Sequence, residues 1–326
     1  MDYLFLLLGF AILIIGGELL VRGAVGMALK AGLSALVVGM TIVSFGTSSP
    51  ELLVCIKAAM QPGDGNLMSV GNIVGSNIAN LTLVLGITAI VSPIAINVIS
   101  LKRDWPFMFG SSLLAAFFMR DLSVSRMEGV ILFILLIVFT VYLLQSTKQD
   151  KSEKEKSNKD QLDENNNNLD SQEDTKGTST LMNVMFILIG VAGLTFGSDL
   201  LVESASSIAT SYGISPFVIG VTVLAFGTSV PELATSAIAA YKKETDLAIG
   251  NLLGSNIFNI LSVLGVTAMI SPVKLTADIF SIDLVWMILS SVAVFILMFH
   301  KRMLARTKGI ALFAIYLSYV AFLLVR

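Results

Sequence analysis

Residues 39–54, GMTIVSFGTSSPELLV, return at 220–235 as GVTVLAFGTSVPELAT, with 9 of 16 positions identical. Residues 71–93, GNIVGSNIANLTLVLGITAIVSP, return at 250–272 as GNLLGSNIFNILSVLGVTAMISP, with 14 of 23 identical. The first apolar run is echoed as well, GGELLVRGA at 16–24 against GSDLLVESA at 197–205. The offsets are 181, 179 and 181 residues, so only short connectors differ in length. Such a chain is a duplication, and a fold that suits one half must suit the other.

The solvent for that fold is a bilayer. Charged residues make up 13% of the 326 positions and mean hydropathy is +0.84, against roughly 25% charged in soluble domains. Apolar runs long enough to cross a core of about 30 Å fall near 3–29, 33–60, 68–92, 104–119, 124–144, 181–210, 214–240, 247–271, 280–299 and 307–325. The expectation is an all-α integral membrane protein with ten transmembrane helices, five in each half. Five is odd, so the second half enters from the opposite face and the halves form inverted repeats, as in secondary transporters whose site lies between two such halves.

Three regions follow: a first five-helix repeat at 1–144, a polar linker at 145–180 and a second repeat at 181–326. The linker is charged and nearly free of apolar side chains, which predicts a disordered loop serving as a tether. The start, MDYLFLLLGF, has no basic n-region and reads as a retained first helix. With the N-terminus outside, the inner connections carry 15 Lys and Arg and the outer ones 5. The positive-inside rule then places both termini outside the cell (plasma or inner) membrane and the linker in the cytoplasm.

Other chemistries have little to work with. A net charge of −2 suggests no nucleic-acid partner, and no GxxxxGK[ST] loop offers a nucleotide site. One cysteine, Cys55, excludes an internal disulfide and a cysteine-rich metal site, and His300 is the single histidine.

What stands out is Pro-Glu at membrane depth. Proline inside a helix removes one backbone hydrogen bond and clashes with the carbonyl four residues back, that of Gly46 for Pro50 and Gly227 for Pro231. Broken helices in a membrane are tolerated where they face protein or a water-lined cavity, and freed carbonyls are cation ligands. Beside each break stands a carboxylate, Glu51 and Glu232, each costing roughly 3 kcal/mol or more at the bilayer centre. A pseudo-two-fold axis would bring the two face to face, where they repel unless one is protonated or a cation lies between them. Calcium, a hard ion with six to eight oxygen ligands, suits that gap. Thr47 and Thr228 can add carbonyls, and Ser76 with Asn80, like Ser255 with Asn259, lie four apart on one helix face.

Structural readings stand beside these. Ser and Asn also bond helix to helix within membranes, and Gly71, Gly75, Gly250 and Gly254 form small-xxx-small patterns for close packing. Cys55 reads as a small buried apolar residue. Glu18 and Arg22 have the i,i+4 order of a helix ion pair, whereas Asp199 and Glu203 lack such a pairing in their own helix.

At these residues the chain resembles the calcium/cation antiporter superfamily in its sodium/calcium exchanger branch. GTSSPE and GTSVPE, with GNIVGSN and GNLLGSN behind them, look like the paired alpha-repeats of that family. The resemblance implies a site at the centre of spans 2, 3, 7 and 8 where Na⁺ and Ca²⁺ compete, with Glu51, Glu232, Thr47 and Thr228 shared between them. Ser48, Ser229, Ser76 and Ser255 would complete the ion sites, Ser44 and Ala225 would add backbone carbonyls for sodium, and Asn80 and Asn259 would line the centre. Some relatives have Asp where Asn259 stands, and the neutral side chain argues against a potassium requirement. The resemblance further implies Na⁺-driven Ca²⁺ antiport by alternating access, normally extruding calcium, without a cofactor and without enzyme activity. Ca²⁺/H⁺ antiport on the same scaffold is the nearest alternative. A cation channel would use the glutamates as a selectivity ring, and an intramembrane enzyme finds neither HExxH nor GxSxG here.

Overall fold

The computed structural model describes residues 1–60, 65–162, 179–213 and 225–325, with the side chains of 65–68, 147–162 and 225–226 left aside. Its elements are α1 (Asp2–Ala31), α2 (Ala35–Thr47), α3 (Ser49–Met60), α4 (Ser69–Val91), α5 (Trp105–Phe118) and α6 (Arg126–Leu162), followed by α7 (Thr180–Ser211), α8 (Ala225–Thr228), α9 (Val230–Tyr241), α10 (Thr245–Ile270), α11 (Leu284–Phe299) and α12 (Arg306–Val325). Two-residue strands β1 (Ile94–Ala95), β2 (Ser123–Val124), β3 (Val273–Lys274) and β4 (Met303–Leu304) lie between helices.

Among the described residues, seven helices are long and apolar enough to cross a membrane, and α2 with α3, bent by 43°, adds an eighth span. Two of the ten expected spans are not of this kind. The run into α5 carries Lys102, Arg103 and Asp104 in its opening π-helical turn, Ser100–Asp104. The span expected at 214–240 has its first part, 214–224, outside the described residues. Helix α6 runs past its apolar stretch to Leu162, into the segment expected to be linker; residues 163–178 lie outside the described residues.

Helices α1 and α7 lie antiparallel along each other. Tyr3 and Tyr212 share a hydroxyl hydrogen bond of 3.1 Å and Ser207 donates to Asp2 at 2.6 Å at one end, while Gly23 abuts Asn183 at the other. Small residues make the approach possible: a Cβ on Gly16 would stand 2.9 Å from the Leu194 nitrogen, and one on Gly190 2.6 Å from that of Leu20. Gly32, in left-handed backbone at φ 63°, ends α1 by donating to the Ala28 and Leu29 carbonyls.

The centre belongs to α4 and α10, in each of which 83% of the membrane window is buried, against 39% or less in the other five unbroken spans. Each contains a π-helical turn, at Asn80–Val84 in α4 and Asn259–Leu264 in α10. The halves clasp reciprocally. β1 pairs with β4 (Ile94 opposite Leu304) and β2 with β3 (Ser123 opposite Lys274). Gly86 meets Gly309 in the same manner as Gly265 meets Gly129. The packing expected of the repeated glycines is seen at Gly250 and Gly254, where added Cβ atoms would stand 2.4 Å from the Leu36 carbonyl and 2.7 Å from the Met40 Cα. Among the described residues nothing approaches Gly71 or Gly75 so closely.

Candidate functional site

The break between α2 and α3 comes at Ser48 (φ −91°, ψ 5°), and that between α8 and α9 at Ser229 (φ −93°, ψ 3°). Around the first, Ser48 N–H donates to Ser44 O at 2.9 Å and Leu52 N–H to Ser48 O at 3.3 Å, so neither bond uses the Thr47 carbonyl. The carbonyls displaced by the prolines are not bare, contrary to the expectation that they face a cation. Ser49 Oγ donates to Gly46 O at 2.8 Å, and Ser198 Oγ donates to Gly227 O at 2.6 Å. A hydroxyl supplies the hydrogen that proline lacks, which lowers the cost of a buried unsatisfied oxygen. Ser44 O is also engaged, by Ser48 N–H at 2.9 Å. Ala225 opens α8 at the equivalent place.

Glu51 and Glu232 each stand in the first turn of the helix after the break and are 1% and 0% exposed. Ser48, three residues before Glu51, reaches the Glu232 carboxylate at 2.8 Å, so the two glutamates lie near each other. The two are held differently. Ser48 Oγ donates to Glu232 Oε1 at 2.8 Å, and Thr47 and Ser255 flank the same carboxylate. Among the described residues, Glu232 Oε2 and both oxygens of Glu51 have no hydrogen-bond partner, nor do the side-chain polar atoms of Ser76, Asn80, Thr228, Ser229 and Asn259. The π turn that begins at Asn80 packs against α9, which carries Glu232, and the one that begins at Asn259 packs against α3, which carries Glu51. Each half thus lines the other's carboxylate. π turns recur at functional sites because they re-aim the side chains of one helical turn.

Unpartnered buried polar groups cost about 1–3 kcal/mol each and more when charged. Here several oxygens and amides of that kind gather beside two carboxylates, with no Lys or Arg bonded to them among the described residues. The donor set is oxygen-rich and anionic, which suits a hard cation. A cavity of about 540 Å³ between α3 and α7 reaches Thr228 and Pro231 next to it, lined on the way by Pro50, Val54, Ser198 and Asp199.

A shell of contacts stands behind the site, beyond the residues expected there. Thr47 Oγ1 donates to Asn251 Oδ1 at 3.1 Å and shares 3.4 Å with Ser255 Oγ, while Asn251 Nδ2 donates to Ser236 Oγ at 3.0 Å. In the other half Asn72 Nδ2 donates to Cys55 Sγ at 3.5 Å, and the Cys55 thiol lies 3.7 Å from Ser69 O. Cys55 and Ser236 stand 181 residues apart, so the thiol expected to be merely apolar fills the place of a hydroxyl. The signal was available in the repeated Gly-Asn pair at 71–72 and 250–251. Cys55→Ser is therefore expected to keep transport within about twofold and stability within about 1 kcal/mol, checked by flux and melting temperature of the purified variant. The expected Glu18–Arg22 pair is not formed: Lys242 takes Glu18, and the Arg22 guanidinium lies 5.1 Å over the Phe186 ring.

Two buried carboxylates in an oxygen-rich setting within a helical membrane body, with a cavity beside them, fit a cation transport protein. A family model described as sodium/calcium exchanger protein matches residues 1–145 and 182–325, and the chain belongs to that family. It is 32% identical over 347 residues to the sodium/calcium exchanger MaX1 of Methanosarcina acetivorans, covering 99% of this chain and 98% of that one. With the inner membrane protein YrbG of Escherichia coli (strain K12) it shares 32% over 327 residues, 94% and 93% of the two chains. A solved structure of the sodium-calcium exchanger NCX_Mj, soaked with zero Na⁺ and Ca²⁺, superposes with a TM-score of 0.80 at 28% identity over 99% of this chain and 98% of that chain. The family and that fold make the protein a multi-pass cation antiporter and not an enzyme.

Proposed function

We propose that the protein exchanges Na⁺ for Ca²⁺ by alternating access, with Glu51 and Glu232 as the shared ligands. The observation that carries this reading is the pair of buried carboxylates, three of whose four oxygens, like the hydroxyls and amides of the residues named above, have no partner among the described residues. A calcium ion, or a set of sodium ions, neutralises both glutamates and lets the halves move past the filled site. An empty site keeps two bare anions in a low-dielectric interior and resists that movement, which couples the fluxes. Thr47, Thr228, Ser48, Ser229, Ser76 and Ser255 complete the ion shells, Ala225 faces them with backbone, and Asn80 and Asn259 line the centre, while the Ser44 carbonyl already accepts from Ser48 N–H. The carbonyls of Gly46 and Gly227, capped by serines, take no part.

The architecture in this reading is ten helices in two inverted repeats of five. The antiparallel α1 and α7, the reciprocal strand pairs and the matched glycine contacts support it. Both termini lie outside and the 145–180 linker in the cytoplasm, so the 540 Å³ cavity opens outward and calcium leaves the cell as sodium enters.

The test is calcium uptake into sealed liposomes loaded with sodium and diluted into sodium-free buffer, beside liposomes carrying only a pH gradient. Uptake that requires internal sodium is expected. Uptake driven by the pH gradient alone moves the coupling to protons, and uptake needing no counter-ion gradient overturns antiport.

A further inference from the structure

The two halves share a sequence plan but not a posture. On one side α1 lies against α9: a Cβ on Gly17 would stand 2.6 Å from Ile238 Cδ1, and Lys242 Nζ, just past the end of α9, forms an ion pair with Glu18. The duplication carries Gly17, Glu18 and Ile238 onto Ser198, Asp199 and Lys57 through the 181-residue offset in each case. At those positions the partner helices stand apart. The 540 Å³ cavity separates Val54 and Ala58 of α3 from Thr195 and Asp199 of α7.

Across that gap Lys57 is the cation whose charge reaches Asp199, while Glu203, one turn on, adds a second negative charge. Among the described residues no ion pair yet joins Lys57 to either acid. Closing α7 onto α3 as α1 is closed onto α9 would bring Lys57 to the face of α7 that bears Ser198 and Asp199. Among the described residues no hydrogen bond or ion pair joins any of these four charged side chains to Glu51 or Glu232.

We propose that Glu18–Lys242 and Asp199–Lys57 are alternate latches, the first holding α1 on α9 while the Asp199 side is open, the second forming as α7 closes on α3 and the first parts. This rests on the inverted-repeat, alternating-access reading and gives Glu18, Lys57, Asp199 and Lys242 positioning roles. Both pairs sit at accessible positions, where an ion pair shifts an equilibrium by about two- to fivefold. Such a bias selects a state and still lets each latch open in every cycle. A fully buried pair would lock the transporter.

The test uses the full-length protein with Cys55→Ser and a reporter, Ala58→Cys, on the cavity wall. Its labelling rate by a membrane-impermeant maleimide is read in liposomes with Ca²⁺ on both sides, so that both states are populated. Glu18→Gln and Lys242→Gln are expected to slow labelling about two- to fivefold, and Asp199→Asn and Lys57→Gln to speed it by a similar factor. The swap Glu18→Lys with Lys242→Glu should restore the parent rate. Shifts of the same sign from both pairs, or none from either in variants that melt like the parent, overturn the latches. Opposite shifts in liposomes that show no sodium-driven calcium uptake would keep the latches and remove sodium coupling, so the two failures are distinct.

Discussion

Glu51→Gln and Glu232→Gln are each expected to cut sodium-driven calcium uptake by about 100-fold or more, since the charge and number of its ligands set calcium affinity over several decades. Glutamine keeps the shape of the side chain and removes one negative charge, leaving a single carboxylate to meet a divalent ion. The stability of the two variants should differ in a way that a general folding defect would not reproduce. Both oxygens of Glu51 lack a side-chain partner among the described residues, so Glu51→Gln breaks no side-chain hydrogen bond there and removes a buried charge; its melting temperature without ions should equal or exceed that of the parent. Glu232 accepts a hydrogen bond from Ser48 at 2.8 Å, which a glutamine oxygen can also accept, though more weakly than a carboxylate, so that variant should melt slightly below Glu51→Gln. In the parent, calcium should raise the melting temperature through binding to the folded state alone, and in both variants that rise should vanish.

Gly250→Leu should have the second-largest effect, by preventing assembly of the site. A Cβ at Gly250 would stand 2.4 Å from the Leu36 carbonyl and 3.1 Å from the Gly39 Cα. The obstruction is backbone on the facing helix, which cannot swing aside as a side-chain tip can. Overpacking typically costs about 1–3 kcal/mol and occasionally more, and against backbone the upper end applies, a large share of a domain's stability of roughly 5–15 kcal/mol. The crossing of α2 with α10 sets Thr47 against Asn251 and Ser255, and through them the setting of Glu232. Gly250→Leu should therefore lower the yield of monodisperse protein and abolish flux together, whereas Gly250→Ala should lose less of both. Size-exclusion profiles with flux per folded molecule separate the two effects.

The pair of carboxylates was legible because a duplicated proline–glutamate step inside an apolar run has no packing purpose. The duplication also pointed to Asn80 and Asn259, and the structure gives both a shared cause, a π turn beginning at each. The destination of the proline-freed carbonyls could not be read. Ser49 is one residue from Pro50 and could have been suspected, but Ser198 reaches Gly227 from a different helix. The pairing of Glu18 had the same difficulty: the i,i+4 rule concerns one helix, and Lys242 arrives from α9. The unequal posture of the halves lies beyond any repeat pattern, because one sequence plan serves two conformations and a single structure holds one of them. Glu232 enclosed by Ser48, Thr47 and Ser255 beside an uncapped Glu51 is the local form of that inequality.

The most direct test of the central claim is equilibrium binding of radioactive calcium to the purified protein, titrated with sodium, beside Glu51→Gln and Glu232→Gln. One calcium site per chain, emptied by sodium and lost in both variants, is the expected result. Calcium that binds equally well to either variant, or that sodium does not displace, would contradict a shared site on these two carboxylates.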